Sequence, residues 1–299
     1  MSGLFSHPDS DSPNAQWELL LPHQYRERFA GLPVAFLPLG TVEWHGEHNA
    51  LGLDALKAHA LCVMAARLAG GGIVHPPLYG GMGGLDKPAT VILEGEYTWD
   101  NHVLRPFLER LCMEFHRLGF KAIVILTGHY GHNQQIVVRE AAVRMSERLR
   151  IPVFGLPEYF LAQDAGYLGD HAGIGESSLL LYLYPELSAM DRIGDDPDYG
   201  ADDAILDGTS RELGRRYAER ISGRLAELAK AAPGWDEATL DRYIAAERDM
   251  LSAQVKGWRT REPWAAWKRM FSGEITDYAE LLASERFEEI SALSRRLFE

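Results

Sequence analysis

The run Glu43-Trp44-His45-Gly46-Glu47-His48 crowds carboxylates and imidazoles into one short stretch, and Asp54 adds a further carboxylate just beyond it. Glu43, His45 and Asp54 offer the oxygen and nitrogen donors that suit Zn²⁺, Mn²⁺ or Fe²⁺. Two later stretches have the same character. One is Gly128-His129-Tyr130-Gly131-His132-Asn133, and the other is Asp170-His171-Ala172-Gly173-Ile174-Gly175-Glu176-Ser177-Ser178. Two divalent ions held close together need a bridging carboxylate, and Asp54 is a natural candidate for it. Water bound to such an ion has its pKa lowered from about 15.7 toward about 7, so it can act as hydroxide at neutral pH. An imidazole outside the ligand set can then carry the proton to a leaving nitrogen or carbon, a task that suits His171.

These residues need elements to bring them together. The first stretch follows the apolar run Val34 to Leu39, which reads as a buried strand. The second follows Ala122 to Leu126, β-branched and fully apolar, and the third opens a helix over Ser177 to Tyr184. Further strands are expected at Ile73 to His75, Ala89 to Leu93 and Ile151 to Gly155. Helices are expected over Trp17 to Phe29, Leu53 to Leu68, Leu104 to Leu118 and Gln134 to Leu149. Strands alternating with helices imply βαβ units and a mostly parallel sheet, whose strands would deliver all three stretches to one edge. From about Gly208 onward strands disappear. Glu212 to Lys230, Glu237 to Val255 and Thr276 to Phe298 read as amphipathic helices, with Trp258, Trp264 and Trp267 as a packing, interface or pocket-lining patch.

Composition bounds the function. The chain has 299 residues and a net charge of −13, which argues against non-specific nucleic-acid binding and against anionic membrane surfaces. Met1 to Asn14 lacks the basic and apolar segments of a signal peptide, and no run is long enough to span a membrane. Cys62 and Cys112 read as buried hydrophobes, which fits a reducing compartment, and a cytoplasmic protein is expected. The loop Gly80-Gly81-Met82-Gly83-Gly84 is shaped but carries no phosphate-binding fingerprint. His48 reads either as a residue orienting a ligand or as an exposed one. His59, His75, His102 and His116 are assigned no chemistry.

The three stretches resemble the signatures of the creatininase (creatinine amidohydrolase) family, in the same order. Glu43 to His48 with Asp54 matches its E-x-H-G-x-H…D pattern, Thr127-Gly128-His129-Tyr130 resembles its N-G-H segment, and His171 to Ser178 resembles its H-A-G-E-x-E-T-S segment. The resemblance implies an α/β fold: a mostly parallel sheet flanked by helices (an αβα sandwich), here with a helical C-terminal extension. It divides the chain into a leader and helix (1–30), a metal-hydrolase domain (31–230) and helices packed on it or on a neighbouring subunit (231–299). It implies one or two divalent ions (Zn, Mn or Fe) held by Glu43, His45, Asp54, His129 and Glu176. His171 and Glu176 would serve catalysis, and Tyr130 and His132 would contact a small-molecule substrate. A homo-oligomer, with a hexamer favoured, is implied as well.

Departures from the family pattern fall where substrate would be held. Gly131 stands where creatininase has a carboxylate ligand, so His132 substitutes, water fills the position, or the second ion binds weakly. Ile174 replaces the first Glu of the third segment, and Lys87-Pro88-Ala89-Thr90 stands for F-P-G-T without the usual preceding histidine. The expected activity is hydrolysis of a small cyclic or linear amide other than creatinine. Hydrolytic C–C cleavage of a cyclic polyol ketone of the inosose type is the alternative on the same site. A metal-binding structural or regulatory protein without catalysis is the alternative from another class.

Overall fold

The computed structural model describes residues 14–83, 87–94, 102–194, 203–260 and 278–298. Its centre is a parallel sheet of β1 (Val34–Leu39), β2 (Ile73–Val74), β5 (Ala122–Thr127) and β6 (Val153–Pro157), in the order β2-β1-β5-β6. A short parallel pair, β3 (Gly81–Met82) and β4 (Ile92–Glu94), lies apart from it. The apolar strands read as continuous hydrophobic runs because both sheet faces are covered. Val34, Phe36, Val124 and Leu126 join one core with residues of α2 (Leu53–Ala69), α5 (Ile174–Leu183), α7 (Arg211–Ala231) and α8 (Glu237–Thr260). Ala35, Leu37, Ile123 and Ile125 face the other way, against α3 (Leu104–Arg117) and α4 (His132–Leu149). The parallel sheet is the one expected from the alternation, and the two covered faces make the αβα sandwich that the resemblance implied.

The order of the strands sets where a site can form. From β1 the chain crosses through α2 to β2, on one side of the sheet order. From β5 it crosses through α4 to β6, on the opposite side. Right-handed crossovers that diverge in this way put α2 and α4 on opposite faces and leave a crevice at the carboxyl ends of the two adjacent strands. β1 and β5 pair from Val34↔Ala122 through Leu39↔Thr127. The loops carrying Glu43, His45 and His129 therefore leave the sheet side by side.

Several boundaries differ from expectation. Helix α1 (Pro22–Gly31) begins only at Pro22, preceded by a 3-10 turn over Trp17–Leu19. The strand expected from Ala89 shrinks to Ile92–Glu94, since Ala89 takes a left-handed φ of 62° in a turn. Helix α5 starts at Ile174, ahead of Ser177. The third stretch also does not emerge directly from a strand. Two 3-10 turns, Glu158–Leu161 and Gln163–Ala165, separate it from β6.

After α6 (Asp203–Gly208) and α7, helix α8 packs on α4 and on the final helix Phe287–Phe298. Tyr243 donates to the Val153 carbonyl at 2.8 Å, and buried Arg139 pairs with Glu247 at 2.9 Å. Tyr278, in the short helix Tyr278–Ala283, donates to the other Glu247 oxygen at 2.7 Å. Trp264 and Trp267 lie outside the described residues, as do the side chain of Trp258 and residues 1–13 of the leader. Cys62 and Cys112 are buried and unpaired. Among the described residues no helix is long and apolar enough to cross a membrane.

Candidate metal centre

Helix α2 delivers Asp54 in its first turn, where a carboxylate gains from the amino-terminal end of the helix. Two glycines let that turn come down onto the strand ends. A Cβ on Gly40, just past β1, would lie 2.2 Å from Ala55 N, and one on Gly128, just past β5, would lie 2.2 Å from Asp54 O. Only a residue without a side chain permits such close backbone approach. The result seats Asp54 between His45 and His129. Its Oδ1 lies 3.1 Å from His45 Nε2, and its Oδ2 lies 3.1 Å from His129 Nδ1.

The ring orientations decide what these contacts mean. His45 Nδ1 lies 3.0 Å from the Glu43 carbonyl, and His129 Nε2 lies 3.1 Å from the Met82 carbonyl. A carbonyl can only accept, so each of those nitrogens carries the hydrogen and the neutral ring presents a lone pair on its other nitrogen. The lone pair of His45 then faces Asp54 Oδ1 and, at 3.6 Å, Glu176 Oε2. That of His129 faces Asp54 Oδ2 and, at 2.9 Å, Glu43 Oε2. Acceptors converge on acceptors at two adjacent points. His45 Nε2 is buried and makes no aligned hydrogen bond. Such an arrangement is stable only with a cation between the lone pairs, either a proton or a metal ion. Met82 is held for its part by Gln134, whose Oε1 accepts from Met82 N at 2.7 Å and whose Nε2 donates to Thr127 Oγ1 at 2.8 Å.

Among the described residues the groups able to hold an ion are Glu43–Asp54–His129, His45–Asp54–Glu176 and Glu43–His45–His171. The first two share Asp54, one oxygen each. The donor set, carboxylate plus imidazole, suits Zn²⁺ or Mn²⁺.

Without an ion the carboxylates draw protons onto the imidazoles. Burial would lower His45, but the charges of Asp54, Glu176 and Glu43 outweigh it and raise the ring to about 9. Burial opposes His129 as well, yet Glu43 and Asp54 hold it well above its ordinary value. Asp54 is correspondingly lowered, its two imidazole neighbours overcoming burial. A histidine raised on folding stabilises the fold fully below its unfolded value, near 6.5, and loses that contribution as pH rises through about 9. The melting midpoint of metal-free protein is therefore expected to fall between pH 6.5 and pH 9. Saturating Zn²⁺ or Mn²⁺ should raise the midpoint most at the upper end, where no proton has to leave. Differential scanning fluorimetry with and without chelator checks this, and a metal-free midpoint that climbs over that range would contradict it.

The third stretch is fastened to the first. Asp170 accepts from Gly175 N at 2.6 Å and Glu176 N at 3.0 Å, satisfying amides at the start of α5. His48 is buried and places Nε2 3.0 Å from the Ala172 carbonyl, beside Ser177 Oγ at 3.2 Å. Between them Ala172 adopts a left-handed φ of 53°, and its N–H donates to Glu176 Oε2 at 2.8 Å. His171 stacks on His45 with ring centroids 4.4 Å apart and places Nε2 2.8 Å from the Trp44 carbonyl. Thr90 Oγ1 accepts from Trp44 N at 3.2 Å, so the Lys87-Pro88-Ala89-Thr90 turn abuts the same loop.

Glu43, His45, Asp54, His129, Glu176 and His171 are thus brought together. Tyr130 and His132 are placed differently. The Tyr130 hydroxyl is buried with Lys57, 2.8 Å away, and with Glu158 and Tyr167. The turn into α4 directs it toward Lys57 of α2. His132, the first residue of α4, is buried and joins none of the ion-capable groups among the described residues. Burial pushes its imidazole down to about 4. Ile174 turns toward α6, where its Cδ1 would lie 2.6 Å from a Cβ on Gly208. Sequence reasoning missed Lys57, Glu158 and Tyr167. The available signal was a lone cation one turn after Asp54 in an otherwise apolar stretch of helix.

Residues 19–247 match the family model for Creatininase, creatinine amidohydrolase. The chain belongs to the creatininase family. A curated creatinine amidohydrolase of Pseudomonas putida is 30% identical over 202 residues, covering 58% of this chain and 74% of that protein. A crystal structure of creatinine amidohydrolase (creatininase) superposes with a TM-score of 0.61 at 26% identity, covering 75% of this chain and all of that one, 100%. A glutamate-to-glutamine variant of creatininase in a Zn–Zn form gives a TM-score of 0.58 at 27% identity, covering 74% of this chain and 100% of that one, and another creatininase structure is described with Mn. The family match ends within α8, so the last helices lie beyond it.

Proposed function

We propose that this creatininase-family chain is a metal-dependent hydrolase that opens a small cyclic or linear amide. One observation carries the reading: two imidazole lone pairs, each fixed by a backbone carbonyl, aim at the two oxygens of Asp54. Glu43, Asp54 and His129 would hold one ion, and His45, Asp54 and Glu176 a second. Zn²⁺ and Mn²⁺ are the first choices, as in the solved creatininases. Bound there, such ions supply an activated water and polarise a substrate carbonyl.

The remaining work falls to side chains. His171 Nε2 donates to the Trp44 carbonyl, so Nδ1 presents the lone pair, 3.9 Å from Glu43 Oε2. Burial and the neighbouring His45 lower this imidazole, which keeps it neutral and able to take a proton at Nδ1. It would then return that proton to the leaving nitrogen. The stack on His45 and the Trp44 carbonyl hold the ring in place for both transfers.

His171→Ala is expected to keep its metal and lose roughly a hundred-fold or more in turnover, the range for a positioned acid–base group. Metal analysis beside assays on creatinine, other small cyclic amides, linear amides and cyclic polyol ketones decides the point. Loss of metal from the variant would make His171 a ligand, in keeping with its grouping with Glu43 and His45. Turnover of polyol ketones alone would move the reading to C–C hydrolysis. A metal-loaded protein inert to every compound would favour a binding role.

A further inference from the structure

Lys57 lies one helical turn beyond Asp54 on α2 and is fully buried, with 0% exposure. Its Nζ pairs with Glu176 Oε1, lies 3.0 Å from Glu158 Oε1, and donates to the Tyr130 hydroxyl at 2.8 Å. The two oxygens of Glu176 are therefore divided. Oε1 belongs to the ammonium, whereas Oε2 takes the Ala172 N–H and faces His45. Burying an ammonium is costly unless it is paired, and Glu158 alone could supply one pairing charge. The contact with Glu176 goes further, because it joins the lysine to a proposed ligand.

Resting on the metal-site reading, we infer that Lys57 is a positioning residue that sets, through Glu176, how tightly the His45–Asp54–Glu176 locus holds its ion. It confines Glu176 to ligation by one oxygen and withdraws part of that oxygen's charge. A buried positive charge beside the carboxylate also opposes a dication, since like charges interact strongly away from water. The locus is thereby kept looser than an unpaired carboxylate would make it. An ion with less donor charge around it in turn draws more strongly on whatever else it binds. Glu158 moderates the effect, since its carboxylate shares the ammonium with Glu176. The Tyr130 hydroxyl, itself paired with that of Tyr167, donates to Glu158 and fixes it in that role.

Zn²⁺ affinity tests this by competition with a chromophoric chelator, with metal stoichiometry and metal-free melting measured on the same preparations. Glu158→Gln removes the moderating charge and is expected to weaken the affected Zn²⁺ about three-fold or more. Adding Lys57→Met to that variant removes the ammonium, fills its stem volume, and is expected to tighten Zn²⁺ at least about ten-fold relative to Glu158→Gln. A merely structural lysine would weaken binding and stability together, so a double variant that binds Zn²⁺ no tighter than Glu158→Gln overturns the inference. Should the double variant fail to fold, Glu158→Gln binding as tightly as wild type overturns it by itself. Wild-type protein that binds no Zn²⁺ would instead overturn the metal reading beneath it.

Discussion

Asp54→Ala is expected to empty both loci at once, with Zn²⁺ or Mn²⁺ content falling to background and turnover with it. The carboxylate gives one oxygen to the His45 side and the other to the His129 side, so no single ion can keep its set without it. Loss of the several kcal/mol that a bound ion supplies, about 4 kcal/mol, corresponds to roughly a thousand-fold in rate. The contrast that gives the result its meaning is Glu43→Gln. Glu43 faces His129 and His171, and its removal should cost one ion and leave the His45–Asp54–Glu176 ion in place. Elemental analysis of the two variants after dialysis makes the comparison, with circular dichroism verifying that both remain folded. Asp54→Ala retaining one ion per chain would remove the shared-carboxylate arrangement.

Gly131→Glu is expected to damage the site even though creatininase has a carboxylate at the matching position. Gly131 has an ordinary backbone, φ −45° and ψ 126°, so glycine is needed there for proximity and not for conformation. A Cβ would lie 2.5 Å from the Met82 carbonyl and 2.6 Å from His129 Nε2, and both would have to move. Those are the partners whose mutual hydrogen bond fixes the His129 tautomer. Overpacking of this kind costs about 1–3 kcal/mol. A drop of about 5 °C in the melting midpoint is expected, roughly 2–4 °C per kcal/mol in a chain of this size. The Glu43–Asp54–His129 ion should be lost rather than better held. Gly131→Ala, which adds only the offending atom, should already show most of the thermal effect. A Gly131→Glu protein with two ions and an unchanged midpoint would mean that the Met82 segment yields readily.

The contrast with creatininase also shows what could be read from residues alone. Glu43, His45 and His129 were legible because each follows an apolar strand opening into donors, and parallel strands must deliver such loops to one edge, while Asp54 opens the helix that follows the first of them. Glu176 was legible only through its motif, since two 3-10 turns separate it from the strand that precedes it. Lys57 offered only its place in an apolar stretch as a signal, because a lysine in a helix ordinarily reads as solvated and its partners Glu176 and Glu158 are brought to it by tertiary packing alone. The tautomer-setting carbonyls of Glu43 and Met82 are equally silent, since any residue type supplies a carbonyl. The surroundings of Tyr130 were not legible either. Its hydroxyl answers to Lys57 and Glu158, partners that the motif does not specify.

The crevice between β1 and β5 has a consequence for how the chain is tied together. His129 meets Asp54 across 75 residues of sequence, and the loop from Glu43 reaches Ser177 of α5 through His48 at still greater separation. An ion spanning these segments works as a crosslink, closing long loops much as a disulfide would but reversibly and with a strength set by its concentration. The Glu43–Asp54–His129 ion can form only after β1 and β5 have paired, because His129 leaves β5 and the other two donors follow β1. The ion therefore cannot nucleate folding and acts by slowing escape from the folded state. Chelation should accordingly be felt first as faster unfolding and as protease sensitivity at the strand ends, with refolding rates little changed.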